Sequence, residues 1–281
     1  MTQGVIMQEF GSVWTEKKLD VFESYLAAYM KIMQKQPFKL LYLDAFSGSG
    51  SILTKDQQVL VGSAVRALKF SFDHYYFFES NKQCCAALKK TLAANFSEKL
   101  SMITIANQDC NMLLKMIDTQ NWREQKWRGV AFLDPYAMDL NWESLEHLAK
   151  TEMLDVWYLF PFMALNRNLR KDAEILEATQ RRVTQLLGDE EWKQYIYPEA
   201  VQQAIFGETE FEKIDMDGLK NYIIKRLKTI FPTVSEKAVI LRNGRSSPIF
   251  LLCFMGSNPS PPARGASLRV ANYLLDHIEG A

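Results

Sequence analysis

Long hydrophobic runs are missing from this sequence. No stretch of about 18 consecutive apolar residues occurs, so we expect no membrane-spanning helix. Residues 1–11 contain no positively charged stretch that leads into an apolar one, so we expect no signal peptide. These absences predict a cytoplasmic protein without a membrane partner.

Sulfur and imidazole groups are scarce. The four cysteines are Cys84, Cys85, Cys110 and Cys253, and none of them form a CxxC pair. We expect reduced thiols rather than disulfides. The three histidines are widely scattered, which leaves little material for a histidine-rich metal site or a Ser-His-Asp triad. We therefore predict no metal site.

An excess of charge of either sign is also absent. Lys and Arg together number 33, as do Asp and Glu, so the formal net charge is zero. This balance argues against a protein that binds nucleic acid through overall positive charge, although a local basic groove is compatible with it. With 48% hydrophobic and 23% charged residues, the chain has the composition of an ordinary folded protein. Its 281 residues allow one large domain or two ordinary ones.

Short apolar runs alternate with helical segments, a pattern typical of a mostly parallel sheet covered on both faces. We predict seven strands, at residues 40–44, 75–79, 100–106, 129–134, 153–160, 238–241 and 249–255. Helical spacing predicts helices over residues 15–34 and 81–96 and a closing helix over 267–278. The sequence therefore predicts an α/β fold with a Rossmann-like seven-stranded sheet.

The stretch between the fifth and sixth predicted strands is mainly helical and rich in Gln, Arg and Glu. We predict a core over residues 1–163, a helical insertion over 164–233, and a return to the core sheet with a C-terminal helix over 234–281. The insertion could be a winged-helix-like unit that recognises the substrate, a lid over the site or a structural elaboration.

Basic residues of this insertion fall partly on one helical face, and they are Arg167, Arg170, Lys171, Arg181 and Arg182. They could follow a phosphate backbone. Acidic residues are interleaved with them, at Asp172, Glu174 and Glu177. A solvated helix face is therefore the simpler interpretation.

A turn of small residues follows the first predicted strand. Asp44 ends the strand, and Gly48 and Gly50 allow the backbone to turn tightly and to approach a ligand. No Walker A motif follows, and Leu53 stands where the third glycine of a dinucleotide fingerprint belongs. The turn alone is compatible with many kinds of site.

Acidic residues also follow the next two predicted strands. Glu79 closes the second strand, where a carboxylate could accept both ribose hydroxyls of a nucleoside cofactor. Asp109 follows the third strand and could accept from an adenine amino group. Because the carboxyl ends of parallel strands meet at one crevice, the set indicates a nucleoside site. Each acid taken singly could instead be a helix N-cap or a solvated loop end.

The fourth predicted strand ends in Asp134, Pro135 and Tyr136. In an amino-group methylation site, the Asp carboxylate and the Pro carbonyl would accept the two N–H groups of the target and leave its nitrogen lone pair directed at the methyl donor. The aromatic ring would stack on a flipped base. The alternative is a strand terminator that uses proline to form a turn.

Together, residues 44–50, Glu79, Asp109 and residues 134–136 resemble motifs I to IV of class I S-adenosylmethionine-dependent methyltransferases, in that family's order. More narrowly, the sequence resembles the three-Cys-motif partner protein (TcmP) family, bacterial proteins with a methyltransferase-like fold. The segments that carry this resemblance are WTEKKL (14–19), YLDAFSGSG (42–50), LDPY (133–136) and DVWYLFP (155–161).

The resemblance implies a site for S-adenosyl-L-methionine. Asp44, Phe46, Gly48 and Gly50 would hold the methionine end, Glu79 the ribose and Asp109 the adenine, while Lys18 and the turn at 62–63 would line the same mouth. The implied catalytic residues are Asp134, Pro135 and Tyr136. This segment is similar to the Asp-Pro-Pro-Tyr of adenine-N6 methyltransferases but lacks the second proline, which places Tyr136 one position early.

The expected function is S-adenosylmethionine-dependent methylation of an amino group in a nucleic-acid base. One alternative is the same chemistry on a peptide, a protein or a small molecule. Another is a non-catalytic cofactor-binding partner of a three-Cys-motif protein. The expected partners are accordingly a nucleic-acid substrate and a three-Cys-motif protein.

Overall fold

The computed structural model describes residues 8–9, 13–53, 59–170, 175–198 and 213–278, and its central sheet contains seven strands of four or more residues and one strand of two residues. In chain order the seven longer strands are β1 (Lys39–Asp44), β2 (His74–Phe78), β3 (Ile103–Ala106), β4 (Trp127–Leu133), β5 (Leu154–Phe160), β6 (Val239–Arg242) and β7 (Pro248–Gly256). The two-residue strand Thr233–Val234 also pairs with β7.

The strand order across the sheet is β3-β2-β1-β4-β5-β7-β6. Strands β1 to β5 are parallel, whereas β7 runs antiparallel to both β5 and β6. This is a mostly parallel, Rossmann-like α/β sheet, so the predicted fold class is confirmed. The order reverses between β1 and β4, and open α/β sheets bind ligands at such a switch point.

Ten helices surround the sheet in the part of the chain that the structure describes. They are α1 (Val13–Met33), α2 (Ser63–Ala67), α3 (Lys82–Asn95), α4 (Cys110–Leu114), α5 (Trp142–Lys150), α6 (Phe162–Asn168), α7 (Glu177–Leu187), α8 (Trp192–Ile196), α9 (Met216–Leu227) and α10 (Pro261–Asp276). Buried residues of α1, α2, α3 and α10 form one hydrophobic cluster with the sheet. A second cluster contains buried residues of α4 to α9.

Helix α1 lies against the sheet through apolar residues at helical spacing. Leu19, Phe22 and Leu26 recur every three or four positions and are buried. From the same helix, the Tyr25 hydroxyl donates to Asp155 Oδ2 of β5 at 2.7 Å. These contacts fix the helix on the sheet and carry Lys18, which is also buried, to the carboxyl end of β4.

The segment between β5 and β6 contributes helices α6 to α9. They share their hydrophobic cluster with α5. The end of α7 packs closely against α5. Gly188 caps α7 at φ +60°, and a side chain there would overlap the Trp142 indole. The division into core, insertion and return to the core stays a prediction, and Lys171, Asp172 and Glu174 lie outside the described residues.

Several predicted boundaries are wrong. Residues Ser97–Met102 form 3₁₀ turns, so β3 begins at Ile103 and not at residue 100. Helix α10 begins at Pro261, six residues before the predicted start at 267. Prolines in the first helical turn lose no hydrogen bond because the N–H groups there have no partner within the helix. A small sheet of Gln8–Glu9, Ser51–Leu53 and Val59–Val61 was not predicted.

No helix among the described residues is both long and apolar enough to cross a membrane.

All four cysteines are free and buried.

Candidate functional site

A cavity of about 900 Å³ opens at the carboxyl ends of the parallel strands. Of the acidic residues expected in the site, Glu79, Asp109 and Asp134 line it. They follow β2, β3 and β4, so the fold brings together side chains that lie far apart in the sequence. Residues 45–52 and 62–63 form another part of the wall.

Asp44 lies behind this wall and is fully buried. Its Oδ1 accepts the Phe46 N–H at 3.2 Å, and its Oδ2 accepts the Tyr42 hydroxyl at 3.2 Å. Burial raises the pKa of Asp44 to about 7, against the opposing hydrogen bonds from Ser63 and Phe46. Asp44 therefore shapes the turn from within, and Phe46 and the two glycines after it face the cavity.

Two carboxyl groups, those of the buried Asp44 and the half-buried Asp155, are expected to make the stability of the fold depend on pH. Burial raises the pKa of Asp155 to about 7, as it does for Asp44, from ordinary values of 3.8. The stability that each contributes is fully present below about pH 3.8 and is lost as the pH rises through 7. We expect the melting temperature to fall by about 5 °C or more between pH 5 and pH 8.

Thermal unfolding of the wild type, Asp44→Asn and Asp155→Asn across this range tests that expectation. Each substitution removes one titrating carboxyl group, so each should flatten the decline. A melting temperature that stays level or rises in the wild type would contradict the raised pKa values.

Glu79 ties the glycine turn to the start of α3. Its Oε2 accepts the Gly48 N–H at 2.8 Å, and its Oε1 accepts the Asn81 N–H at 2.7 Å. Gly48 and Gly50 take φ values of +60° and +82°, which other residues rarely adopt. A Cβ at Gly50 would also lie 2.9 Å from Leu88 Cδ1. One carboxylate thus fixes the turn while it lines the cavity, and its remaining lone pairs stay available to a ligand.

Asp109 is the N-cap of α4, and Asn111 belongs to the same network. Asp109 Oδ1 accepts the backbone N–H of Asn111 at 2.8 Å and its side-chain amide at 3.0 Å. The same amide donates to the Asp139 carbonyl at 2.8 Å, and Asn111 Oδ1 accepts from Asn141 N at 2.9 Å. The helix-cap alternative is therefore present in the structure together with the position on the cavity wall. The sequence did not identify Asn111 as a site residue. The local indication of its role is that a polar side chain stands in the first turn of the helix that Asp109 caps.

Asp134 forms an ion pair with Lys18, which reaches it from α1. The Lys18 side chain is 5% exposed and the Asp134 side chain 24% exposed. Lys18 Nζ also lies 5.7 Å from the centre of the Phe250 ring, contributed by β7. The carboxylate at the end of β4 thus has a buried cation on one side and the cavity on the other.

The two residues after Asp134 line the cavity as well. Tyr136 is 69% exposed, a high value for a large aromatic side chain. Ala137 follows with φ +50°, a conformation unusual for a residue other than glycine. The chain thus turns sharply after β4 and presents an aromatic ring at the cavity.

Helices α6 and α7 supply a further part of the wall. Arg167 of α6 and Arg182 and Gln185 of α7 line the cavity together with Asp139. Arg182 Nη2 lies 3.8 Å from Asp139 Oδ1. Burial raises the pKa of Asp139, while Arg182 opposes this and Asp109 adds to it. The sequence indicated that these arginines could follow a phosphate backbone, but it favoured a solvated helix face for them.

No group of three or more His, Cys, Asp or Glu side chains within the described ranges is arranged to hold a metal ion. The arrangement instead offers backbone amides in a glycine turn, carboxylate acceptors at the ends of adjacent strands and an exposed aromatic ring. Such groups bind a nucleoside and accept hydrogen bonds from an amine.

Comparison of the sequence with protein-family models and with curated proteins found no match. The TcmP resemblance therefore stays a prediction.

Comparison with solved structures found distant likenesses. Protein LPL1258 from Legionella pneumophila strain Philadelphia 1, of the DUF519 family model, is 11% identical, with 92% of each chain covered and a TM-score of 0.47. Trm1 from Pyrococcus horikoshii, in complex with S-adenosyl-L-methionine, is 13% identical over 91% of this chain and 60% of that one, with a TM-score of 0.39. The plantazolicin methyltransferase BpumL, in complex with SAH, is 11% identical over 87% of this chain and 85% of that one, with a TM-score of 0.34. Identities and scores this low indicate nothing about what this chain binds or transfers.

Proposed function

We propose that this protein is an S-adenosylmethionine-dependent methyltransferase that acts on an amino group of a nucleic-acid base. The observation that carries the proposal is the convergence of Glu79, Asp109 and Asp134 on one cavity beside a glycine turn, at the switch point of the sheet. Proteins of this sheet topology bind ligands at that place.

The cavity suits the cofactor in size and in chemistry. Its volume of about 900 Å³ lies within the usual range for small-molecule sites. Glu79 would accept the ribose hydroxyls, Asp109 the adenine amino group, and the turn at Gly48 and Gly50 would contact the methionine end. Asp44 would act indirectly, by holding Phe46 and the turn in place. When bound, S-adenosylmethionine supplies an activated methyl group on its sulfonium.

Asp134 and Pro135 would orient the amine that receives the methyl group. A carboxylate oxygen and a backbone carbonyl accept its two N–H groups, and the nitrogen lone pair then points at the methyl group. Tyr136 offers a ring on which an unstacked base could lie, and base–aromatic stacking tolerates any base. These roles support a base as the target in preference to a peptide.

Lys18 would act as a positioning residue. Its ammonium group holds Asp134 from the side of α1, which limits the orientations of the carboxylate. Small displacements of a positioning group cost large factors in rate. Lys18 is therefore needed for the rate and not for cofactor binding.

We expect Lys18→Met to lower kcat by about 10- to 100-fold with cofactor affinity unchanged. Lys18→Arg keeps the cation and should recover part of the rate. Lys17→Met is the matched control, since Lys17 is not among the residues that line the cavity. Equal losses in Lys17→Met and Lys18→Met, or loss of cofactor affinity in Lys18→Met, would refute the positioning role.

Transfer of a tritiated methyl group tests the proposal as a whole. Total RNA, genomic DNA and a three-Cys-motif protein serve as acceptors in separate reactions. The proposal predicts label in a nucleic acid, at a base nitrogen after digestion to nucleosides. Label in the protein acceptor alone would support the peptide alternative, and S-adenosylmethionine binding without transfer to any acceptor would support a non-catalytic partner. Either result overturns the proposed function.

A further inference from the structure

Two arginines from the helices between β5 and β6 reach the same cavity as Asp134 and Tyr136. Arg167 lies on α6 and Arg182 on α7, and both side chains line the cavity. Both residues are exposed, so their guanidinium groups are hydrated and accessible. The helical segment therefore brings positive charge to the cavity that Asp134 and Tyr136 also line.

Among the described residues, neither arginine forms a close hydrogen bond or ion pair with an acidic side chain. The closest approach of Arg182 to an acid is 3.8 Å, from its Nη2 to Asp139 Oδ1, which is longer than a hydrogen bond. The hydrogen bonds and ion pairs of the described residues include none from the Arg167 side chain. A guanidinium has five N–H donors, so most of the donors of both groups remain available.

Arg181 shows that not every arginine of this helical segment has available donors facing the cavity. Although adjacent to Arg182, it pairs with Glu177 one turn away, with Nη2 and Oε1 3.4 Å apart, and its side chain is 71% exposed. Arg181 is not among the residues that line the cavity. Both arginines are exposed, but only Arg182 lines the cavity, whereas Arg181 lies on the solvated face outside it.

We infer that Arg167 and Arg182 form a phosphodiester-binding subsite at the mouth of the cavity. They would hold the backbone of a single nucleic-acid strand while one of its bases enters the site. Guanidinium groups match phosphate oxygens in geometry and charge. This subsite would give local attraction for a polyanion in a chain whose net charge is zero. The inference deepens the proposed function and names the part of the chain that holds the substrate.

The test is fluorescence anisotropy with a labelled single strand of about twelve nucleotides, as RNA and as DNA of the same sequence. Wild type, Arg167→Gln, Arg182→Gln, the double variant and Arg181→Gln are compared in the presence of S-adenosylhomocysteine. We expect the double variant to bind about 10-fold more weakly or worse, with a salt dependence reduced by one to two ions, about 0.7 per lost phosphate contact on a single strand. Arg181→Gln should bind like the wild type.

Three results would overturn the subsite: no binding of either strand by the wild type, unchanged binding by the double variant, or an equal loss in Arg181→Gln. Comparison of RNA with DNA identifies the preferred backbone, and a preference in either direction supports a phosphodiester subsite. Methyl transfer is measured separately. Strand binding that depends on Arg167 and Arg182 without any methyl transfer refutes the proposed function and leaves the subsite standing. Methyl transfer with an unchanged KM for the strand in the double variant refutes the subsite alone.

Discussion

Asp134→Asn is expected to reduce methyl transfer to the nucleic-acid acceptor by about 100- to 1000-fold, the loss typical of one preorganised polar group in an active site. The amide keeps the size of the side chain but loses the charge that pairs with Lys18. It also presents an NH₂ group where the target amine needs an acceptor. Cofactor affinity, measured by calorimetry, should stay the same because the cofactor-binding groups follow other strands.

A double variant separates two effects of Asp134→Asn on activity: the loss of the acceptor for the target amine and the loss of the ion pair with Lys18. Asp134→Asn removes the carboxylate that pairs with the buried Lys18 ammonium, and loss of one partner of a buried ion pair is costly. Lys18→Met combined with Asp134→Asn removes both charges. We expect the double variant to remain as inactive as Asp134→Asn. Recovery of methyl transfer in the double variant, or substantial activity in Asp134→Asn, would show that Asp134 does not orient the amine.

Glu79→Gln is expected to weaken S-adenosylmethionine binding by about 100-fold, close to 3 kcal/mol. Both Glu79 oxygens accept backbone N–H groups, from Gly48 and Asn81. An amide turns one NH₂ group toward one of these donors, which disturbs the turn, and it removes the charge that would accept the ribose hydroxyls. Hydrogen bonds to charged groups are stronger than those to neutral ones.

Asp44→Asn is the matched control for Glu79→Gln. Asp44 also supports the turn but lies behind the cavity wall, so its substitution should weaken cofactor binding less. Because the pKa of Asp44 is raised to about 7, the neutral amide should also leave the fold at least as stable at pH 8. Unchanged cofactor affinity in Glu79→Gln would remove Glu79 from the site.

The strand-end acids could be found from sequence because their placement follows from a local rule. A buried strand that stops at an acid puts that acid at the carboxyl edge, and parallel strands share that edge. Glu79, Asp109 and Asp134 obey this rule and line the cavity. Asp44 follows the same pattern but is buried against Tyr42 and Phe46, and its direction depends on the helices and strands packed around it.

Contacts between distant parts of the chain could not be predicted, because no pattern in the neighbouring sequence indicates them. Lys18 and Asp134 are 116 positions apart, and only the packing of α1 on the sheet brings them together. Arg181 and Arg182 are neighbours in sequence, yet one faces solvent and the other the cavity, because α7 packs with one particular side inward. Helical periodicity predicts that a face exists, but only the tertiary packing decides which residue of a charged pair it presents.

The central claim is that the cavity is a binding site for S-adenosylmethionine. Calorimetric titration tests it most directly, with the wild-type protein titrated with S-adenosylmethionine and, separately, with NAD. The geometry predicts one binding site per chain for S-adenosylmethionine, competed by S-adenosylhomocysteine, and no binding of NAD, since the third glycine of the dinucleotide fingerprint is replaced by Leu53. Binding of NAD in preference to S-adenosylmethionine, or no binding of S-adenosylmethionine, would contradict it.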